Sequence, residues 1–424
     1  MREPVSTIPL VELAAVTMGQ SPPGISVTRE ERGLDFLQGS AEFGPRNPNP
    51  QFRCDPPLRV AKAGSTLISV RAPVGSTNRA DRDYCIGRGL AAVLAKTGRA
   101  ENVFLLHAIE QSLGYLHRRS QGSTFLAISG HDLRGVPIPA FPIEVQRRTC
   151  EIANAIDSAV EQTEALIAKT QQIKAGLMHD LFTRGVLPDG ELRAVGTSQM
   201  TSFGPIPDAW ALGSLLDVAD ASRQAILTGP FGADLGSDDF VTEGVPVLRI
   251  GNVQAGHMDL SDLLFVSRRK AETLRRYMVR AGDLLFARQG ATTGRNALAT
   301  SDVDGCLINY HIIRVALDPD RCDPLFIEAA FHEQVVKTQI ERDKGRGTRE
   351  GINTAQLKAL RVPLADSAEQ RRVGTALRAH AADIGMLSDD LAKLQALKKG
   401  LMHDLLTGTV RVRAANAETV AAGV

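Results

Sequence analysis

The sequence predicts an α+β protein written twice, with two mixed bodies and a long helix after each. Three observations predict it. Residues 171–181 (QQIKAGLMHDL) and 395–405 (QALKKGLMHDL) agree at eight of eleven positions, with His179 and His403 224 residues apart. Both segments close apolar stripes that recur at three- and four-residue steps over four to five heptads, the signature of a helical seam. The rest of the chain is short β-branched and apolar runs divided by Gly, Pro and Asn turns.

The 224-residue separation holds upstream of the matched strings. Gln146-Arg147-Arg148 matches Gln370-Arg371-Arg372, Pro139 matches Pro363, Leu133 matches Leu357, and Thr124 matches Thr348. Closer to the start the separation drifts: AGSTLISVRAPVG (63–75) resembles AGDLLFARQGATTG (281–294), and LVELAAV (10–16) resembles LGSLLDV (212–218). A separation this constant over dozens of residues is a duplication, with loops of different length in the two copies.

The elements then follow in order. A first body occupies 1–141, with strand runs such as 66–71. A first long helix spans 142–185; Pro142 and Glu144 mark its start and Gly185 its stop. Its stripe runs through Ile152, Ile156, Thr163, Ile167, Ile173, Leu177 and Leu181. Residues 186–207 lack periodicity, hold three prolines and three glycines, and read as a linker. A second body covers 208–365, with strand runs at 245–250, 283–288 and 306–315. A second long helix spans 366–409, starts at a capping-box spacing of Asp366 and Glu369, and stops at Gly408. Its stripe is Leu377, Ile384, Leu387, Leu391, Leu394, Leu401 and Leu405. A flexible tail, 410–424, ends the chain. Neither helix buries its stripe alone, so the two are expected to pack on each other; an amphipathic cap on the neighbouring body is the other reading. Gly176 and Gly400, at matched positions inside the helices, are expected at a close helix crossing. Ile156, Ile167, Leu177, His179, Leu181, Leu387, Leu394, Leu401, His403 and Leu405 are the candidate packing and subunit-contact residues.

Composition narrows the function. In 424 residues, 49 Lys+Arg against 48 Asp+Glu leave a net charge of +1, so nucleic-acid or membrane binding would rest on local patches. Five scattered cysteines without a CxxC pair argue against a disulfide framework or a zinc knuckle. No apolar leader and no apolar run of membrane-spanning length is present, so a reducing, cytoplasmic setting without a membrane is expected.

Catalytic motifs are missing. There is no GxxxxGK[ST] phosphate loop and no Asn-Pro-Pro-aromatic tetrad to hold a flipped base. GPFGADLG (229–236) does not read as a strand–turn–helix cofactor loop. His179-Asp180 and His403-Asp404 lack a third ligand at helical spacing and read as polar neighbours of the seam, so no metal and no catalytic residue is assigned.

What remains is a set of basic, amide and hydroxyl residues in turn-rich segments of both copies. In the first these are Arg71, Arg79, Arg82, Arg88, Arg118, Arg119, Gln121 and Thr124. In the second they are Arg249, Arg268, Arg269, Lys270, Arg288, Gln289, Thr293, Arg295, Arg346, Thr348 and Arg349. Arg reads guanine and Gln reads adenine in the major groove, while Lys, Thr and backbone amides hold phosphates. Each Arg taken singly also reads as a solvated surface charge. Clustering at duplicated places favours DNA.

The strings MGQSPPG (18–24), ISVRAPVG (68–75) and DRDYCIGRGLAA (81–92) carry a family resemblance. So do TGPFGADLGSDDFVTEGVPVLRIGNV (228–253), AGDLLFARQGATTG (281–294), GTREGIN (347–353) and the paired LMHDL strings. With these the chain resembles the DNA-specificity subunits of type I restriction–modification systems, over nearly its whole length. Gln289 stands where that family often carries serine. The resemblance implies two target-recognition domains related by a pseudo-twofold duplication, each reading one half of a bipartite asymmetric site in double-stranded DNA. It implies that the long helices form an antiparallel coiled coil that sets the spacer. It further implies a non-catalytic subunit of an endonuclease and adenine-N6 methyltransferase complex. Two methyltransferase subunits and the restriction/translocase subunits are the implied partners. S-adenosylmethionine, Mg and ATP are expected on those partners and none on this chain. A self-contained nuclease or methyltransferase, a structural adaptor, and the recognition subunit of a methyltransferase-only system are the alternatives.

Overall fold

The structure, a computed structural model, describes residues 5–120, 127–345 and 351–412. Helix-forming residues with no interior proline carry the first long helix through Ile143–Arg184 and the second through Ser367–Thr407. Each stops where a glycine takes left-handed backbone: Gly185 and Gly408 both have φ of 73°, a conformation that strains any residue bearing a Cβ.

The chain forms two compact units. The first takes in residues up to 165 together with those from 389 onward; the second is 166–388. Both units therefore include part of each long helix as well as a body.

In the first unit, four strands lie in the order Ala14–Met18, Leu90–Ala95, Thr66–Ser69, Thr77–Arg79. All pairs are antiparallel. A second sheet runs Val27–Thr28, Phe52–Cys54, Leu34–Leu37, Tyr84–Ile86, Val60–Ala61, and its Leu34–Leu37 and Tyr84–Ile86 strands are parallel. The main core joins Ile68, Val93, Phe104 and Leu105 of the body to Ala153 of the first long helix and Met402, Leu405 and Leu406 of the second.

In the second unit the same order recurs: Ile226–Thr228, Ile312–Val315, Leu284–Ala287, Asn296–Leu298. Its other sheet runs Phe240–Val241, Leu264–Val266, Val245–Leu248, Leu307–Ile308, and again one pair, Val245–Leu248 with Leu307–Ile308, is parallel. The core joins Phe286, Phe326 and Ile313 of the body to Leu181 and Phe182 of the first long helix and Val373 and Leu377 of the second.

Gln146 and Gln370 fasten body to helix in the same way. Gln146 accepts from the Glu101 backbone N–H (3.1 Å) and donates to the Phe141 carbonyl (2.9 Å). Gln370 accepts from the Asp323 N–H (3.2 Å) and donates to the Ala365 carbonyl (2.8 Å). Both side chains are buried, so each hydrogen bond lost would leave a desolvated polar atom.

Three expectations are corrected. Residues 186–207 are not a bare linker: Ser198–Thr201 pairs with Gly204–Pro207, and Val186 and Ile206 are buried in the core beside Trp210. The Thr201 hydroxyl closes that turn by donating to the Gly204 carbonyl and accepting from the Phe203 N–H, and strands of four residues are too short to show a period. Ile173 is 50% exposed and off the stripe. From Val160 to Leu177 the half-buried positions are Val160, Thr163, Ile167, Thr170, Lys174 and Leu177, alternating by three and four, and a residue one step off that series faces about 100° away. Gly176 and Gly400 make no close crossing, since nothing lies within 4 Å of where their Cβ atoms would stand. The tail is described only as far as 412.

Candidate nucleic-acid interface

Sheet geometry gathers a polar cluster at one edge of each body. In the first unit the chain leaves strand Ala14–Met18 at Gly19, whose N–H donates to the Leu90 carbonyl (2.9 Å). Only glycine fits there, because a Cβ would stand 2.1 Å from the Gly87 carbonyl oxygen. Val70 N–H donates to the Gly89 carbonyl and Gly89 N–H to that of Gln38. These bonds bring Ser21, Gln38, Arg71 and Arg88 to one surface. Arg71 and Arg88 are exposed, and the Gln38 amide donates to the Ser21 hydroxyl at 3.1 Å.

The second unit repeats this backbone with other side chains. Gly229 N–H donates to the Ile312 carbonyl (3.1 Å), and a Cβ on Gly229 would stand 2.1 Å from the Asn309 carbonyl oxygen. Arg288 N–H donates to the His311 carbonyl and Asn309 N–H to that of Leu248. The two registers place Arg71 with Gln289, Val70 with Arg288, Arg88 with Tyr310, and Gln38 with Arg249. Arg71 bridges to Ala127 and Gln289 to Gly351, so each strand end meets the loop that returns toward its long helix.

Arg288 is partly buried, and burial pushes its pKa down with Tyr310 partly opposing. Its Nη1 donates to the Tyr310 carbonyl (3.2 Å), while its buried Nε has no partner among the described residues. Burial, and then the neighbouring Arg288 charge, lower the His311 pKa and keep that ring neutral. Its Nδ1 donates to Gln289 Oε1 (2.7 Å). Arg249 is committed to the Asp262 carboxylate.

The candidate residues separate into groups. Arg71, Arg88, Arg288 and Gln289 lie at the strand-end surface. Arg118 and Arg119 close the helix Leu113–Arg119, which packs Leu113 and His117 on the turn at Gly75; Arg119 lies 3.9 Å above the Tyr115 ring. Arg79 instead lines a polar hollow of about 120 Å³ with His107, Glu110, Asp157 and Lys398, beside both long helices. Thr293 and Arg295 line a hollow of about 600 Å³ with His332 and Lys337, and Arg295 donates to Gln254 Oε1 at 2.7 Å. Arg79 and Arg295 thus line hollows in which none of Arg71, Arg88, Arg288 and Gln289 takes part. Gln121, Thr124, Arg346, Thr348 and Arg349 lie outside the described residues.

The candidate helix residues meet the bodies. Leu181 and Leu405 are buried, His403 Nδ1 lies 2.7 Å from the Gln111 amide, and His179 lies near Glu333. Burial pushes the Glu333 carboxyl up, against the opposing effect of the His179 charge. Ile156, Ile167, Leu177, Leu387, Leu394 and Leu401 are half-buried.

Ser21, Gln38, Phe231, Tyr310 and His311 were not singled out by sequence. The usable signal was GPFG itself: an aromatic in a glycine turn, in a chain with only 4% aromatics.

No family model matches the sequence. Among curated proteins, the chain is 37% identical over 168 residues to the putative type I restriction enzyme MjaX specificity subunit of Methanocaldococcus jannaschii. That match covers 40% of each chain. It is 21% identical over 319 residues to the MjaVIII specificity subunit of the same organism, covering 74% of this chain and 72% of that one. It is 23% identical over 331 residues to the EcoBI specificity subunit of Escherichia coli, covering 75% and 68%. The curated proteins this chain is similar to are type I restriction enzyme specificity subunits. The fold agrees over nearly the full length of two solved structures. The S subunit of the type I system from M. genitalium has a TM-score of 0.56 at 15% identity, covering 95% of this chain and 96% of that one. A chain from a structural study of type I complex assembly and conformational transition has a TM-score of 0.56 at 18% identity, covering 97% and 99%. These likenesses place this chain in the same α+β fold class.

Proposed function

We propose that this chain is the sequence-specific DNA-binding subunit of a type I restriction–modification complex, each unit reading one half of a bipartite, asymmetric site. The observation that carries the reading is the strand-end cluster: one backbone scaffold, used twice, presents different hydrogen-bonding side chains. A scaffold of that kind changes what is read without changing where it is read. Arg71 and Arg88 in the first unit, and Arg288 with Gln289 in the second, are groups suited to base edges and phosphates.

The two units descend from a duplication, supported by the repeated strand order and the matched Gln146 and Gln370 fastenings. The helices form an antiparallel coiled coil. In support, the start of one long helix and the end of the other share a core in each unit. Their separation fixes the spacer between half-sites, as dimer geometry fixes operator spacing. The helices also hold two methyltransferase subunits and, through the complex, the restriction subunits. Ile173 and Leu397, matched and both at least half exposed, offer the methyltransferase an apolar foothold. The subunit itself is non-catalytic and cytoplasmic. Its partners carry S-adenosylmethionine, Mg and ATP.

The test is to co-express the chain with its methyltransferase subunit and map N6-methyladenine by single-molecule sequencing. A split motif with a fixed spacer is expected. A contiguous motif, or a stable complex that methylates nothing, would sink the proposal.

A further inference from the structure

Among the described residues, the second unit carries a row of rings at its strand-end surface that the first unit does not repeat. Phe231 is 61% exposed at the tip of the Gly229–Gly232 turn, although a solvated phenylalanine gains nothing for the fold. The turn is not loose. Gly229 is pinned against the Asn309 carbonyl and Pro230 is buried, so Phe231 is held outward by its neighbours. The Tyr310 ring lies against it, centroids 6.0 Å apart and planes 30° from parallel. His311 follows, its centroid 3.7 Å from that of Tyr310. Arg288 Nη1 holds the Tyr310 carbonyl, and the His311 ring is anchored on Gln289. The rings thus stand directly on the two residues of this unit best suited to reading bases.

In the first unit Arg88 and Gly89 occupy the places of Tyr310 and His311, and Gly19 is followed by Gln20 and Ser21. Among the described residues, that surface offers charge and hydrogen bonds but no aromatic ring. The two units therefore meet their ligand with different chemistry on one backbone.

We infer that the Phe231–Tyr310–His311 step stacks on a nucleobase or wedges into a base step of the half-site read by the second unit, so that this half is unstacked. Flat apolar side chains beside basic groups are the means by which proteins open base steps, and every base presents a π face to them. A guanidinium beside the rings favours DNA over an apolar protein surface, because a phosphate lies within reach of any base that stacks there.

This inference rests on the DNA-recognition reading, and its test separates the two. The full-length chain, in complex with its methyltransferase subunit, is bound to duplexes carrying 2-aminopurine at successive positions of its mapped split site. A several-fold fluorescence rise is expected at a position in the second unit's half. Phe231→Ala should remove the rise and weaken binding about tenfold, Phe231→Trp should restore both, and the melting temperature should be unchanged in each. A split site with no rise in the second half overturns the inference alone. So does a Phe231→Ala complex that binds DNA normally, or one that loses its methyltransferase subunit without DNA present. If wild-type complex methylates no split site, the functional reading falls and this inference with it.

Discussion

Glu369, only 1% exposed, accepts two hydrogen bonds from the Arg193 guanidinium, one of them 2.8 Å long, and a third from the Val186 N–H at 2.7 Å. The first turn of the second long helix is thereby tied to the chain just beyond the first. Burial by itself would raise the carboxyl's pKa, but Arg193 and the Val186 N–H outweigh it and hold it below the ordinary glutamate value of 4.5. A depressed carboxyl gives stability that is present above that value and lost as pH falls through the folded-state pKa. Glu369→Gln should flatten the acid limb of the second unit's stability curve, read as urea midpoints between pH 7 and pH 3.5. Glu369→Ala should cost about 3 kcal/mol at pH 7, since it strands a largely buried guanidinium. An unchanged acid limb in the Gln variant would show that another group governs it.

Leu181 and Leu405 occupy matched places in the two LMHDL strings, and each is buried in its own unit's core. Leu405→Ala should destabilise the first unit, and Leu181→Ala the second, by about 2–5 kcal/mol each. Hydrogen exchange read by mass spectrometry should show faster exchange in the affected unit while the other keeps its protection. Equal loosening of both units by either change would contradict the division of the chain at 165 and 388.

The strand-end and hollow-lining arginines should behave differently. In the complex, Arg71→Ala should relax or weaken recognition of one half-site, and Gln289→Ala the other. Arg79→Ala and Arg295→Ala should leave the methylated motif unchanged, because they line hollows away from the cluster. Methylome sequencing of the four variants decides this. A motif altered by Arg79→Ala would move the reading surface to the hairpin side.

Phosphate contacts can be counted by salt. The complex's affinity for its site should fall log-linearly with salt, and removing an arginine that holds one phosphate should reduce the slope by about 1. Filter binding with Arg88→Ala tests this: a weaker affinity at constant slope would make Arg88 a base reader.

Helix length is also testable. One heptad inserted at matched points in both long helices adds about 10 Å. The spacer should then lengthen by about three base pairs if the helices are its ruler. A methylated motif with the old spacer would refute that role.

The long helices were legible because a stripe repeated over some forty residues needs no tertiary contact to show itself, and Gly185 and Gly408 mark stops that only glycine makes easily. The sheets were harder. Val27–Thr28 and Val60–Ala61 are two residues each and become strands only through their partners. The hairpin in 186–207 was hidden for the same reason. At the interface, Arg71 and Arg288 could be picked out by residue type and local turns. The Phe231 and Tyr310 pair could not, because the two are joined only where Gly229 meets the Asn309 carbonyl. The direction in which Arg79 and Arg295 point was illegible too, since a strand's turn away from its neighbour is set by packing.

Met402, Leu405 and Leu406 complete a core whose buried residue from the first long helix, Ala153, lies about 250 residues earlier in the chain. At ribosomal speed that interval is on the order of 10–50 s. The first body thus leaves the ribosome with one wall missing and waits for the last turns of the second long helix. The second unit, closed by residue 388, is whole before Met402 is made. The half made first is the half finished last, and during that wait its apolar wall is what a chaperone would meet.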